Sequence, residues 1–184
     1  MSVLTNYLKS RMVLKVNFFA QIYQREQSRN NSEFGINDGV QQNNEESIAY
    51  TTTDDADKPW NAVVDNKNCH EVLFTPLDHN IIIHPVPSET YSLCDGMLRR
   101  GQEWLAFVEL KVQKGNWIQH NIDQLESSIK LFCENHDYGL YRHREAFAAN
   151  LKHPSYHFSH KVQMNEFHSR TKFRLLIQNK LMVR

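Results

Sequence analysis

The chain has 184 residues, of which 40% are apolar and 23% charged, enough for one globular domain with a real core and short for two. Lys and Arg total 21, and so do Asp and Glu, which excludes a global electrostatic attraction to nucleic acid or to an anionic membrane and leaves only local basic patches. No apolar run has the length of a membrane span and the N-terminus lacks the order of a signal peptide. Cys69, Cys94 and Cys133 are odd in number and widely spaced in apolar surroundings, so reduced, buried thiols and a cytoplasmic location are expected.

Residues 3–23, "VLTNYLKSRMVLKVNFFAQIY", lack Gly and Pro and place Leu4, Leu8, Met12 and Phe19 near one face, which predicts a helix packed on the core within an N-terminal segment of residues 1–24. Its final "VLKVNFF" also fits a strand. From Arg25 to Asp57 the chain turns to Asn, Gln, Ser, Thr and acids, so residues 25–58 are expected to be a polar loop or linker. Residues 59–184 hold the dense signals. Glu71–Leu77 and His79–Val86 read as β segments, and "SETYSLCDGML" with "EWLAFVELKV" reads as an antiparallel hairpin around Gly101. Ile118, Ile122, Leu125, Ile129 and Phe132 form a helical stripe. A strand within Tyr138–Ala149, a short helix within Ser159–Ser169 and a terminal β element in "KFRLLIQNKLMV" complete an α/β or α+β arrangement with a mixed sheet.

The strand "EWLAFVELKV" carries the chemical question. Alternation puts Glu109 and Lys111 on one face with Leu105 and Phe107, while the other face is apolar throughout. Asp95 lies on the preceding strand. A turn centred on Gly101 places it nearer Ala106 than Glu109, unless a bulge or stagger corrects the register. Two nearby carboxylates suit Mg²⁺ or Mn²⁺, and a neighbouring lysine can orient water or offset charge on a pentavalent phosphorus. The same residues also fit a Glu109–Lys111 pair neutralising itself beside a turn at Asp95 and Gly96.

Asp95, thirteen intervening residues, then Glu109-Leu110-Lys111 and a helix containing "DQLE" resemble the PD-(D/E)XK nuclease superfamily, from about Glu71 to Asn135. Cys94 stands where the named motif has proline. The resemblance implies a restriction-endonuclease-like fold, a mixed central sheet flanked by helices. It implies a metal-dependent nuclease, with Asp95, Glu109 and the Leu110 carbonyl on Mg²⁺ or Mn²⁺, Lys111 positioning water, and Gln124 bracing the site beside Asn121 and Ser128. The acid that some members add from the first helix has two candidates here, Asp78 and Glu71. Restriction, repair or phage defence are the settings such domains imply, and DNA the expected substrate. The alternative is an inactive subunit using the fold to bind a partner in a larger complex or a homo-oligomer, which the neutral net charge favours.

Arg99, Arg100, Arg142, Arg144 and Lys152 are the candidate nucleic-acid contacts, since basic and aromatic residues interleave around them. A solvated strand edge and a hairpin tip explain them equally well. His153, His157, His160 and His168 have a spacing that could serve zinc, but Pro154 interrupts any helix that would align them, and exposed histidines are the better expectation.

Overall fold

The structure is a computed structural model, which describes residues 16–39, 47–83, 92–113, 115, 117–152 and 160–184. Five strands form a central mixed sheet: β4 (Leu73–Pro76), β5 (Gly96–Arg100), β6 (Trp104–Lys111), β7 (His143–Asn150) and β8 (Arg174–Ile177), neighbours in that order. The first three pair antiparallel, whereas β6, β7 and β8 run parallel. Two parallel connections need crossovers, and α1 (Trp117–Asn135) and α2 (Lys161–Thr171) lie in them.

β6 is buried from Trp104 to Leu110, on both faces. Leu105 and Phe107 meet the buried stripe of α1, Ile122, Leu125, Ile129 and Phe132, together with Phe167 of α2. Trp104, Ala106, Val108 and Leu110 meet Phe34, Ile36, Val64 and Leu181 of a second sheet. That sheet comprises β2 (Tyr50–Thr52), β1 (Glu33–Asn37), β3 (Ala62–Asp65) and β9 (Lys180–Met182), in that order, with only the β3–β9 pair parallel. The mixed α/β class is as expected. Helices on both faces are not what is observed: α1 and α2 pack on one face and the second sheet covers the other.

Other expectations change with it. The polar segment 25–58 is not a linker among its described residues, because it supplies β1 and β2 and buries Phe34 and Ile36. Strand β3 was not anticipated. Of the expected N-terminal helix, residues 1–15 lie outside the described residues; residues 16–23 form a turn and a single 3-10 turn at Gln21–Tyr23. This stretch packs by its side chains, with Phe18 edge-on to Phe132 at 5.3 Å and its N–H donating to His136 Nε2 at 3.2 Å. The segment predicted as a strand from His79 is a turn followed by irregular backbone to Ile83, and its last three residues lie outside the described residues. Asn80 caps that turn, donating to Pro76 and Tyr23 carbonyls and accepting from Arg25. The terminal β element splits into β8 and β9, in different sheets. Cys94 is buried, but Cys69 is exposed. Among the described residues no helix is long and apolar enough to cross a membrane.

Candidate functional site

The hairpin register decides whether the carboxylates meet. Gly96 pairs with Val108, Met97 with Phe107 and Arg100 with Trp104, so the loop is Gly101-Gln102-Glu103 and its centre is Gln102. Gly101, the first loop residue, takes a positive φ of +47°, which glycine adopts without steric cost. That one-residue displacement from the expected turn extends the register to put Asp95 across from Glu109. Met97 faces the helices, and Asp95, two residues earlier, shares that face with Leu105, Phe107 and Glu109.

The ladder breaks at this point in an informative way. Cys94 is next in register to pair with Leu110, yet its N–H donates to Ser128 Oγ at 2.7 Å and its carbonyl accepts from the Asp78 N–H. Asp95 Oδ2 therefore accepts the Leu110 N–H at 2.5 Å. The Leu110 carbonyl lies on the same strand edge, beyond the end of the β5–β6 ladder. Gly96 is required where the chain enters β5, because a Cβ there would sit 2.3 Å from the Phe74 ring.

Glu109 has no exposed surface, and Lys111 Nζ binds its Oε1. Burial pushes the Asp95 carboxyl up to about 7, opposed by the bond from Leu110. Burial, then the charge of Asp95, pushes Glu109 up to about 9. At neutral pH the pair therefore retains a proton. Burial works against the Lys111 ammonium, but Glu109 and the surrounding carboxylates outweigh it and raise its pKa. The Cys94 thiol, raised by burial and by Glu109, stays protonated.

Helix α1 supplies the roof. Gln124 Nε2 donates to the Leu93 carbonyl at 3.2 Å, and Ser128, one turn on, holds Cys94, so two α1 side chains clamp the residues leading into Asp95. Among the described residues, every buried side-chain polar atom without a hydrogen-bond partner belongs to three residues: Glu109 Oε2, Gln124 Oε1 and both amide atoms of Asn121. Buried polar atoms are normally paired, and such orphans mark places that take water or an ion.

Of the two candidates for a further acid, Asp78 is near: its charge raises both Asp95 and Glu109. Glu71 is not, since it accepts from Ser28 at the start of β4, where Leu73 pairs with Arg99. Asp38, just past β1, was missed within the segment read as linker. Its own carboxyl is raised by burial against the pull of Lys111, and its charge acts on Asp95. The apolar alternation of "FGI" before it was the available signal. Among the described residues no three His, Cys, Asp or Glu side chains form a metal-holding group. Asp95, Glu109 Oε2 and the Leu110 carbonyl fit a hard cation that keeps several waters, as Mg²⁺ does, and do not fit a cation that demands a full cage of side chains.

The basic candidates divide by position. Lys152 lies at the carboxylate end, its Nζ donating to the Val112 carbonyl at 3.3 Å. Arg99, Arg100, Arg142 and Arg144 lie at the opposite end of the sheet. Arg99 stacks over Phe19 at 4.8 Å, Arg100 binds the Arg184 carbonyl, and Arg144 lies over Tyr138. His153 and His157 are outside the described residues; His160 contacts Gln163 and His168 contacts the Phe173 carbonyl. Comparisons with protein-family models, with curated proteins and with solved structures find no match to this chain.

Proposed function

We propose that the protein is a divalent-metal-dependent phosphodiesterase acting on nucleic acid, in the first instance DNA, as its resemblance to PD-(D/E)XK nucleases implies. The observation that carries the reading is the buried orphan oxygen of Glu109, on which the Asp95 charge acts, on a face covered by α1, whose Gln124 and Asn121 also keep buried unpaired polar atoms. A mixed sheet with the acid and the Glu-Leu-Lys triplet on adjacent strands supports it. Asp95 and Glu109 Oε2 would hold Mg²⁺ or Mn²⁺ with the Leu110 carbonyl. That ion would supply Lewis-acid polarisation of a phosphoryl oxygen and a more acidic water. Lys111, held by Glu109, presents its ammonium where it offsets charge developing on the phosphoryl group or orients the attacking water. Gln124 fixes the strand entry that aims Asp95. Restriction, repair or phage defence are settings consistent with such an activity.

A second reading, an inactive module in a larger complex or homo-oligomer, is favoured by the neutral net charge and by Lys111, which already occupies one of the two Glu109 oxygens. Incubation with supercoiled, linear and single-stranded DNA and with RNA, in Mg²⁺ or Mn²⁺, separates the two. The phosphodiesterase reading expects cleavage that falls by about 100-fold or more in Glu109→Gln and Lys111→Met, both folded. Wild-type protein that cuts nothing would leave the interaction module, and variants that cut as well as wild type would remove the cleavage from this site.

A further inference from the structure

The end of the sheet opposite the carboxylates holds a cleft of about 410 Å³, assembled from segments far apart in sequence. Arg142 and Arg144 come from the start of β7, Lys172 from the end of α2, Arg174 from the start of β8, and Arg184 from beyond β9. Five cationic side chains thus converge on a lining whose single acidic side chain is Glu145. This concentration is unexpected in a chain of zero net charge, and the carboxylate end is acidic by contrast.

Glu145 organises the cleft and does not cancel it. It is buried, accepts from Trp104 Nε1 at 2.9 Å, and pairs with Arg184 at 3.4 Å and Arg174 at 3.7 Å. One carboxylate is thereby shared between two guanidinium groups. Arg142 has Glu103 at 3.7 Å but keeps three quarters of its side chain exposed. Arg144 is held over the Tyr138 ring at 5.4 Å. Guanidinium groups fixed by a buried acid or a ring, with free N–H donors facing solvent, are suited to phosphate oxygens.

We propose that this cleft binds the phosphate backbone of a nucleic-acid strand, as a contact separate from the carboxylate site. The choice of a phosphodiester strand among polyanions rests on the phosphodiesterase reading; the anion-binding character rests on the cleft alone. From the Trp104 level to the Glu109 level, β6 spans about 16 Å at ~3.3 Å per residue. A strand engaging both sites therefore runs along the sheet for about 16 Å, about five steps at the ~3.4 Å per strand of a duplex and fewer for an extended single strand. The cleft supplies the cationic surface that the acidic site lacks.

Binding is measured by fluorescence anisotropy of a labelled oligodeoxynucleotide in EDTA, so that cleavage does not intervene. Arg142→Glu/Arg174→Glu is expected to weaken binding about tenfold or more. It should also lower the slope of log affinity against log salt by about 1.4, at ~0.7 per phosphate contact on a single strand. Arg142→Gln/Arg174→Gln, which avoids placing a new acid beside Glu145, should weaken binding by a smaller factor in the same direction. Lys130→Glu, on an exposed face of α1 outside the cleft, should bind as wild type does. Binding in EDTA is scored without reference to cleavage, so that failure of the phosphodiesterase reading and failure of this proposal are read separately. The proposal is overturned if wild type does not bind the oligonucleotide, if both double variants bind it as well as wild type, or if inorganic phosphate competes as well per phosphate as the strand does.

Discussion

Glu109 and Asp95 are carboxyl groups that folding strips of water, and the physical consequence is a pH dependence of opposite sign to the usual salt-bridged acid. The folded pKa of Asp95, about 7, lies above its ordinary value of 3.8. The folded state therefore binds the extra proton between those values, and the unfolded state does not. Stability is fully present below about pH 4 as far as this group is concerned, and declines as pH rises through about 7. Asp95→Asn should reduce the decline that denaturant unfolding shows between pH 5 and pH 8, leaving the part that Glu109 contributes, and an unchanged decline in the variant would contradict the assignment. Glu109 stays protonated until about pH 9, so Glu109→Gln should change stability at pH 7 by less than about 1 kcal/mol while removing a metal ligand. A large loss of stability would show that Glu109 is an ionised structural partner of Lys111.

Among the elements, the site depends on two packing details at the entry to β5. Ser128→Ala removes the acceptor of the buried Cys94 N–H and should cost about 1–3 kcal/mol, with a larger loss of cleavage than the stability change explains, because Asp95 is next in the chain. Gly96→Ala drives a methyl into the Phe74 ring and should cost about 1–3 kcal/mol, read as a lowered denaturation midpoint. At this scale the sequence was most legible where periodicity was strong. The α1 stripe, the β5–β6 hairpin and the Glu109–Lys111 face follow from spacing alone. The register did not, because glycine at the first loop position and glycine at the loop centre look alike in sequence, and one residue of displacement of the turn centre moves Asp95 from across Phe107 to across Glu109. The strand predicted from His79 is absent among its described residues because Asn80 satisfies the chain through side-chain bonds to backbone carbonyls, and Asp78 and Asn80 were the turn signals at its start.

For the whole molecule, the second sheet was the least legible part. β1 and β2 are short strands in a composition dominated by Asn, Gln and acids, and β9 is three residues separated from β8 by two, so no local pattern announces that they join. What unites them is long-range: β3 pairs with β9 in parallel, and Leu181 is fully buried among Phe34, Val64 and Val108. Leu181→Ala should therefore cost about 2–5 kcal/mol despite its position near the end of the described chain. A cost near zero, measured by thermal or denaturant unfolding, would mean that the second sheet is not part of the cooperative core. This sheet occupies the face where flanking helices were expected and brings Asp38 toward the carboxylates, so it also shapes the acidic end of the molecule.

The central claim, that Asp95 and Glu109 share one divalent ion, is tested most directly by calorimetric titration of Mn²⁺ into wild-type protein and Asp95→Asn at pH 7, in two buffers of different ionisation enthalpy. The pair holds a proton at that pH, so the account predicts one ion bound per chain with net proton release in wild type, and neither event in the variant. Binding without proton release, or equal binding by the variant, would contradict it.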